Sequence, residues 1–170
     1  MSPRFSFRLL THADLPLLHG WLNRPHVAQW WEGPLSLEYV ERTYGADIGS
    51  PVLAQTLAYL DGEPVGFIQA YHVLGADPDW WTEETDPGAR GIDQFLANAG
   101  QLGQGLGSSM VRQFVAQLFA DPKVSKVQTD PSPSNARAIR AYEKAGFSRV
   151  GEVMTPDGPA LLMVARRAEV

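Results

Sequence analysis

The segment Gly91 to Val111, GIDQFLANAGQLGQGLGSSMV, constrains this chain more than any other. A short apolar stretch around Asp93 reads as a strand over Gly91–Ala97. Met110, Val111, Phe114, Val115 and Leu118 then recur at helical spacing, which predicts a helix to about Ala120. Between them lie Gly103, Gln104, Gly105, Leu106 and Gly107. Glycines let a backbone approach a ligand closely, and the free N–H groups at a helix start bind anions. The pattern is therefore that of a phosphate or pyrophosphate cradle. It is not the dinucleotide fingerprint, because Ser108 stands where the third glycine belongs. Nor is it a Walker loop, because Ser-Ser rather than Lys-Ser/Thr follows Gly107. A turn whose glycines merely allow tight packing is the bland alternative.

The rest of the chain alternates strand and helix signals. Phe5, Phe7 and Leu9 alternate with polar residues as in a half-buried strand. Thr11 and Asp14 resemble a capping box ahead of Leu15, Leu18 and Leu22, a helical run that Pro25 should end. A second helix is expected after Ser36. Val52–Leu60 and Val65–Val73 read as strands joined by the hairpin signal Asp61-Gly62. Residues 75–90 hold Gly75, Pro78, Pro87 and Gly88 among many acids and read as an irregular loop. Val124–Gln128 alternates again, a helix follows Ser134 or Asn135, and Phe147–Val153 and Ala160–Ala165 close the chain around Asp157-Gly158. Interleaved helices and strands place the class at α/β or α+β. With no repeat, low-complexity tract or linker in 170 residues, one domain over 1–170 is expected.

Composition narrows the chemistry. Fourteen Lys and Arg against nineteen Asp and Glu give a net charge of −5, which disfavours non-specific nucleic-acid binding and favours a cationic partner. The absence of cysteine excludes disulfides, thiolate nucleophiles and Cys-zinc sites. The four histidines show no H-E-x-x-H spacing, so no metal is expected. No apolar run is long enough for a membrane helix, and the amino terminus lacks a secretory pattern. A cytoplasmic location is the expectation.

A second signal lies about thirty residues beyond the cradle: Asn135, Ala138 and Tyr142 on one side of a helix, ended by Gly146 and followed by Phe147. Asn135 is a natural cap, and an isolated helical tyrosine is ordinarily a core residue. Together the two elements resemble the GNAT acyltransferase superfamily. The runs WWTEETDPGARGIDQFLANAGQLGQGLG, QTDPSPSNARAIRAYEKAGF and TPDGPA are similar to the aminoglycoside 6′-N-acetyltransferases. LNRPHVAQWW and DGEPVGFIQAY fit the same family, so the resemblance spans nearly the whole chain.

The resemblance implies a GNAT fold, a mixed central β-sheet flanked by helices, with acetyl-CoA held between two splayed parallel strands, Gly91–Ala97 and Val124–Asp130. Implied cofactor-side residues are Phe95, Leu96, Ala97, Gly103, Gln104, Gly105, Leu106, Gly107, Ser108, Asn135, Arg137, Ala138 and Arg140. Leu102 departs from the family's Gln or Arg at that position, with Gln101 one residue early. Implied acceptor-side residues are Trp31, Tyr44, Gln69, Tyr71, Asp79, Trp81, Glu83, Asp93, Asp130 and Asp157. The implied reaction is direct acetyl transfer to an amine of an aminoglycoside, the 6′ amine first. Asp93 would accept the ammonium proton, a strand N–H would hold the oxyanion, and Tyr142 would protonate the leaving thiolate. No G-x-S-x-G elbow favours an acyl-enzyme route.

Other acceptors in view are a different polyamine or a siderophore precursor. A non-catalytic acyl-CoA-binding regulator is the reading outside catalysis. Asp77, Asp79, Glu83, Glu84, Asp86 and Asp93 concentrate negative charge just before the cradle, so a bipolar site is expected. The chain is expected to act as a monomer or a homodimer.

Overall fold

The computed structural model describes residues 3–167. The strands are β1 (Phe5–Leu9), β2 (Leu53–Leu60), β3 (Glu63–His72), β4 (Ala89–Leu96), β5 (Lys126–Thr129), β6 (Ser148–Thr155) and β7 (Gly158–Arg166). The helices are α1 (Leu15–Leu22), α2 (Pro25–Ala28), α3 (Leu37–Ala46), the kinked turn α4 (Val73–Ala76), α5 (Leu106–Phe119) and α6 (Ala136–Lys144). All seven strands form one sheet in the order β1-β2-β3-β4-β5-β7-β6. Every neighbouring pair is antiparallel except β4 and β5.

Period-two alternation gives the sheet two apolar faces. Leu57, Phe67 and Phe95 meet Leu15, Leu18, Trp21, Leu22 and Val40 of α1 and α3 on one side. On the other, Ile68, Ile92, Val127 and Met163 meet Val111, Phe114 and Val115 of α5 and Ile139 and Tyr142 of α6. Thirty-odd apolar side chains are buried in this way, the dominant favourable contribution to folding.

Local signals explain most boundaries. Ser36 accepts the Tyr39 N–H at the start of α3, and Asn135 accepts the Ala138 N–H at the start of α6. The β2–β3 turn needs positive φ at Asp61 (53°) and Gly62 (80°), the combination a two-residue hairpin favours. Most strand ends lie within two residues of the sequence expectation, and β4 starts two residues early at Ala89; two further boundaries differ for a local reason. Pro25 opens α2 rather than simply ending α1, since a missing N–H costs nothing at the first helical position. The last hairpin turns through Pro156-Asp157, because Thr155 already pairs with Gly158.

The junction of β4 and β5 positions everything that follows. Their parallel register covers only Ala89↔Lys126, Arg90↔Val127 and Gly91↔Gln128, although β4 continues to Leu96. Beyond Gly91 the two strands part, and one edge of β4 is left open. Below the split, Lys126 pairs with Glu84 at 2.6 Å, and Asp86 accepts from Ser125 and Gly88. The acidic loop thereby fastens the closed end of the V.

Candidate active site

Two cavities meet at this split. The first, of about 590 Å³, lies between the end of β4 and the starts of α5 and α6. Phe95, Leu96, Gly103, Gly105, Gly107, Ser108, Asn135, Arg137, Ala138 and Arg140 all line it. Gly103 and Gly105 have φ of 76° and 80°, a left-handed backbone that any other residue would adopt only with strain. Gly105 is the N-cap of the fourteen-residue helix α5, so free N–H groups and the helix dipole face this cavity. Arg137, Arg140 and Lys144 supply its cationic side chains, the His26 ring lines it with them, and none of the described residues lining it is a carboxylate.

The second cavity, of about 700 Å³, opens on the other side of the split. Trp31, Tyr44, Gln69, Tyr71, Asp93, Asp130, Tyr142 and Asp157 line it. Among the described residues, Glu32, Asp47 and Asp77 bring its carboxylates to six, with no lysine, arginine or histidine in its walls. Trp30, Trp31, Gln94, Asn135 and Ala138 border both cavities.

Register explains the floor of the acid-lined cavity. Gln69 lies directly across from Asp93 and donates to its Oδ2 at 3.0 Å. Tyr71 lies across from Gly91, where any Cβ would overlap the tyrosine ring, so only glycine lets that ring lie flat on the strand. Two consecutive indoles tie the acidic loop to this floor. Trp80 donates to Asp130 and Trp81 to the Tyr71 hydroxyl, each at 2.9 Å.

Burial dominates the electrostatics. It pushes the Asp93 carboxyl upward, against the pull of the Gln69 hydrogen bond. Burial first, and the charge of Asp93 second, together raise Asp130 to about 7. Two carboxyls facing one cavity thus resist ionising together and are suited to a cation that neutralises them. Burial also raises Tyr142, whose hydrogen bonds with Thr129 and Gln94 act in the opposite sense, so its phenol keeps its proton.

Several expected site residues stand elsewhere. Gln104 turns back onto the Gly100 carbonyl at 2.7 Å, and Leu106 packs beside Phe5 and Met110. The Ala97 carbonyl is occupied by Arg24 at 2.6 Å. Leu102 lines the first cavity, whereas Gln101 bonds Asn98 outside it. Trp81 stands behind Tyr71 rather than in the cavity wall, and Asp79 and Glu83 are exposed outside it. The negative charge does not come from the 77–93 cluster as a whole, because Glu84 and Asp86 are spent on fastening the loop. Glu32, Asp47, Gln94, Thr129 and Lys144 escaped the sequence reading. Gln94 follows Asp93 directly, and Lys144 continues the spacing of Arg137 and Arg140, so those two were within reach of it.

A sequence model of the acetyltransferase (GNAT) domain matches residues 11–155. The chain belongs to the GNAT acetyltransferases. Aminoglycoside N(6′)-acetyltransferase type 1 of Klebsiella pneumoniae is 53% identical over 166 residues, covering 95% of this chain and 83% of that protein. A kanamycin resistance protein of Rhizobium radiobacter is 70% identical over 88 residues, covering 52% of this chain and 82% of that one. The solved structure of AAC(6′)-Ib with ribostamycin and coenzyme A matches with a TM-score of 0.93 and 53% identity, over 97% of this chain and 94% of that chain. As a GNAT protein, the chain carries its one parallel strand pair at the centre of a mixed sheet, as the resemblance implied.

Proposed function

We propose that this chain transfers acetyl from acetyl-CoA to the 6′ amine of an aminoglycoside. The observation that carries the reading is the partition of charge across the split. Among the described residues, a cavity with three cationic side chains and no acid abuts one with six carboxylates and no base. Polyphosphate and polyamine are the two ligands such a pair accommodates.

The first cavity fits coenzyme A on its own features. The left-handed glycines expose the backbone at the α5 N-terminus, and Arg137, Arg140 and Lys144 supply positive charge beside it. Acetyl-CoA bound there would supply an acetyl thioester, and the open edge of β4 would present peptide groups to it.

On the acceptor side, the carboxylates hold an ammonium group and, by pairing with it, favour their own ionised forms. Asp93 and Asp130 accept one ammonium proton and leave a neutral amine facing the split. Asp130, with its value near 7, is matched to proton transfer at neutral pH. Tyr142 keeps its proton and offers it to the departing sulfur. Trp31 and Tyr44 shape the wall against which a sugar face can stack.

The test is incubation with acetyl-CoA and kanamycin, followed by mass analysis and NMR of the product. One added acetyl group on the 6′ nitrogen is expected. No acetylated product would overturn the reading, and acetylation at another nitrogen would overturn the position.

A further inference from the structure

We propose that His26 is a positioning residue that sets the register in which the acyl donor lies along the open edge of β4. The proposal rests on the reading of the first cavity as the acetyl-CoA site.

Alternation fixes which peptide groups face that edge. The Ala97 N–H donates to the Val65 carbonyl at 2.9 Å, on the β3 side of the strand. In an antiparallel pair successive residues turn their N–H and C=O to opposite edges, so those of Ile92, Gln94 and Leu96 face away from β3. Along this edge β5 pairs only as far as Gly91. The Ile92 carbonyl, one step on, accepts from the Thr129 hydroxyl at 3.1 Å. At the outer end the Leu96 carbonyl accepts from His26 Nε2 at 2.9 Å, so that ring nitrogen carries a proton. The Gln94 carbonyl between them takes no hydrogen bond from a described residue.

Neighbouring residues carry His26 to this place. It is the second residue of α2, and Val27 beside it is buried in the same apolar cluster as Phe67 and Phe95. Arg24, two residues earlier, donates to the Ala97 carbonyl at 2.6 Å and to Asn98 at 2.7 Å. One short segment thus holds two successive carbonyls at the end of β4, one on each edge. His26, Gln94 and Leu96 all line the first cavity, so the carbonyl that His26 occupies is one a bound donor would otherwise meet.

The arm of acetyl-CoA between pyrophosphate and sulfur is an extendable chain with two amides. Beside an unpaired strand edge such a chain pairs through its amide groups. The edge repeats every second residue, about 7 Å, so the same pairing is offered at Gln94 and, one repeat outward, at Leu96. The pyrophosphate does not decide between them, because several rotatable bonds separate it from the nearer amide. In the outward register the thioester would stop about 7 Å short of the split, where Asp93 and Tyr142 line the acceptor cavity. By filling the Leu96 carbonyl, His26 closes that register and leaves the productive one.

The experiment compares the unsubstituted protein with His26→Phe and His26→Gln, varying acetyl-CoA at saturating kanamycin. Phenylalanine keeps a ring and removes the donor, whereas glutamine places an amide N–H at a similar reach. In His26→Phe an arm bound in the outward register occupies the site without reacting. There kcat and KM for acetyl-CoA should fall together by about fivefold, which is what one net hydrogen bond contributes. Their ratio should stay within about twofold, because it compares the transition state with free protein and donor, and the productive register is unchanged. His26→Gln should restore both constants. A raised or constant KM in His26→Phe would overturn the register role, since a loosened α2 only weakens binding or slows the chemistry. So would His26→Gln behaving like His26→Phe. No acetyl transfer by the unsubstituted protein would instead remove the donor reading, and the register role with it. Should phenylalanine prevent folding, His26→Leu removes the donor without a ring and meets the same criteria.

Discussion

Replacing Asp130 by Asn should change how stability depends on pH, by an amount the site itself sets. Folded Asp130 holds its proton up to about 7, while the unfolded chain releases it at the ordinary 3.8. Between those values the folded state binds more protons, so this group makes stability fall as pH rises. That is opposite in sign to Asp14, Glu84 and Asp86, whose partners move them downward. At about 1.4 kcal/mol per pH unit, the gap is worth on the order of 4 kcal/mol. Asp130 is only half-buried, and solvent screening reduces this to about 2 kcal/mol. Asparagine keeps an acceptor for the Trp80 indole and carries no charge, so the comparison reads the ionisation of Asp130 together with the relief it gives Asp93. The variant's advantage over the unsubstituted protein should therefore grow by about 2 kcal/mol between pH near 4 and pH near 8. Urea unfolding of both proteins at the two conditions measures it. In a thermal melt the same change is about 4–8 °C for a chain of this size. The shared downward-shifted carboxylates cancel in the difference. Parallel pH dependences for the two proteins would refute the argument that burial and Asp93 hold Asp130 protonated.

Three further outcomes follow from the geometry. Asp93→Asn should lower kcat/KM for the amine at least a hundredfold while leaving the affinity for acetyl-CoA, read by calorimetry, within about twofold. Neutralising Arg140 and Lys144 together should raise KM for acetyl-CoA about tenfold and flatten its dependence on salt, with KM for the acceptor unchanged. Gly91→Ala should displace the Tyr71 ring from β4 and cost about 1–3 kcal/mol in chemical unfolding, because the new methyl overlaps that ring.

What the sequence disclosed depended on whether the signal was local. The strand, glycine turn and helix around Gly103–Gly107 were legible because positive φ demands glycine at Gly103 and Gly105 and periodicity marks the flanks. Asn135 was legible as a cap because capping is decided within three residues. The acid-lined cavity was only partly so. Reading along the chain, Glu84 and Asp86 looked like site residues, yet Lys126 and Ser125, about forty positions away, claim them. Glu32 and Asp47 flank α3 and carry no local mark. They reach the cavity only because α3 packs on the sheet face that also bears Asp93. Thr129 was equally silent, since its hydroxyl bonds the Ile92 carbonyl just where the ladder stops, and a ladder's end is a property of two strands rather than of either one.

That ending has a mechanical meaning. The sheet amounts to two plates, β1 to β4 and β5 with β7 and β6, joined along a seam three residue pairs long. Glu84, Lys126 and the Asp86–Ser125 bond bolt the closed end, and the Thr129 hydroxyl is the last rivet before the gap. A molecule seated in the gap touches both plates at once and shares their relative motion. Occupancy of the open end and rigidity of the joint are therefore linked quantities, and each tightening of one raises the cost of loosening the other.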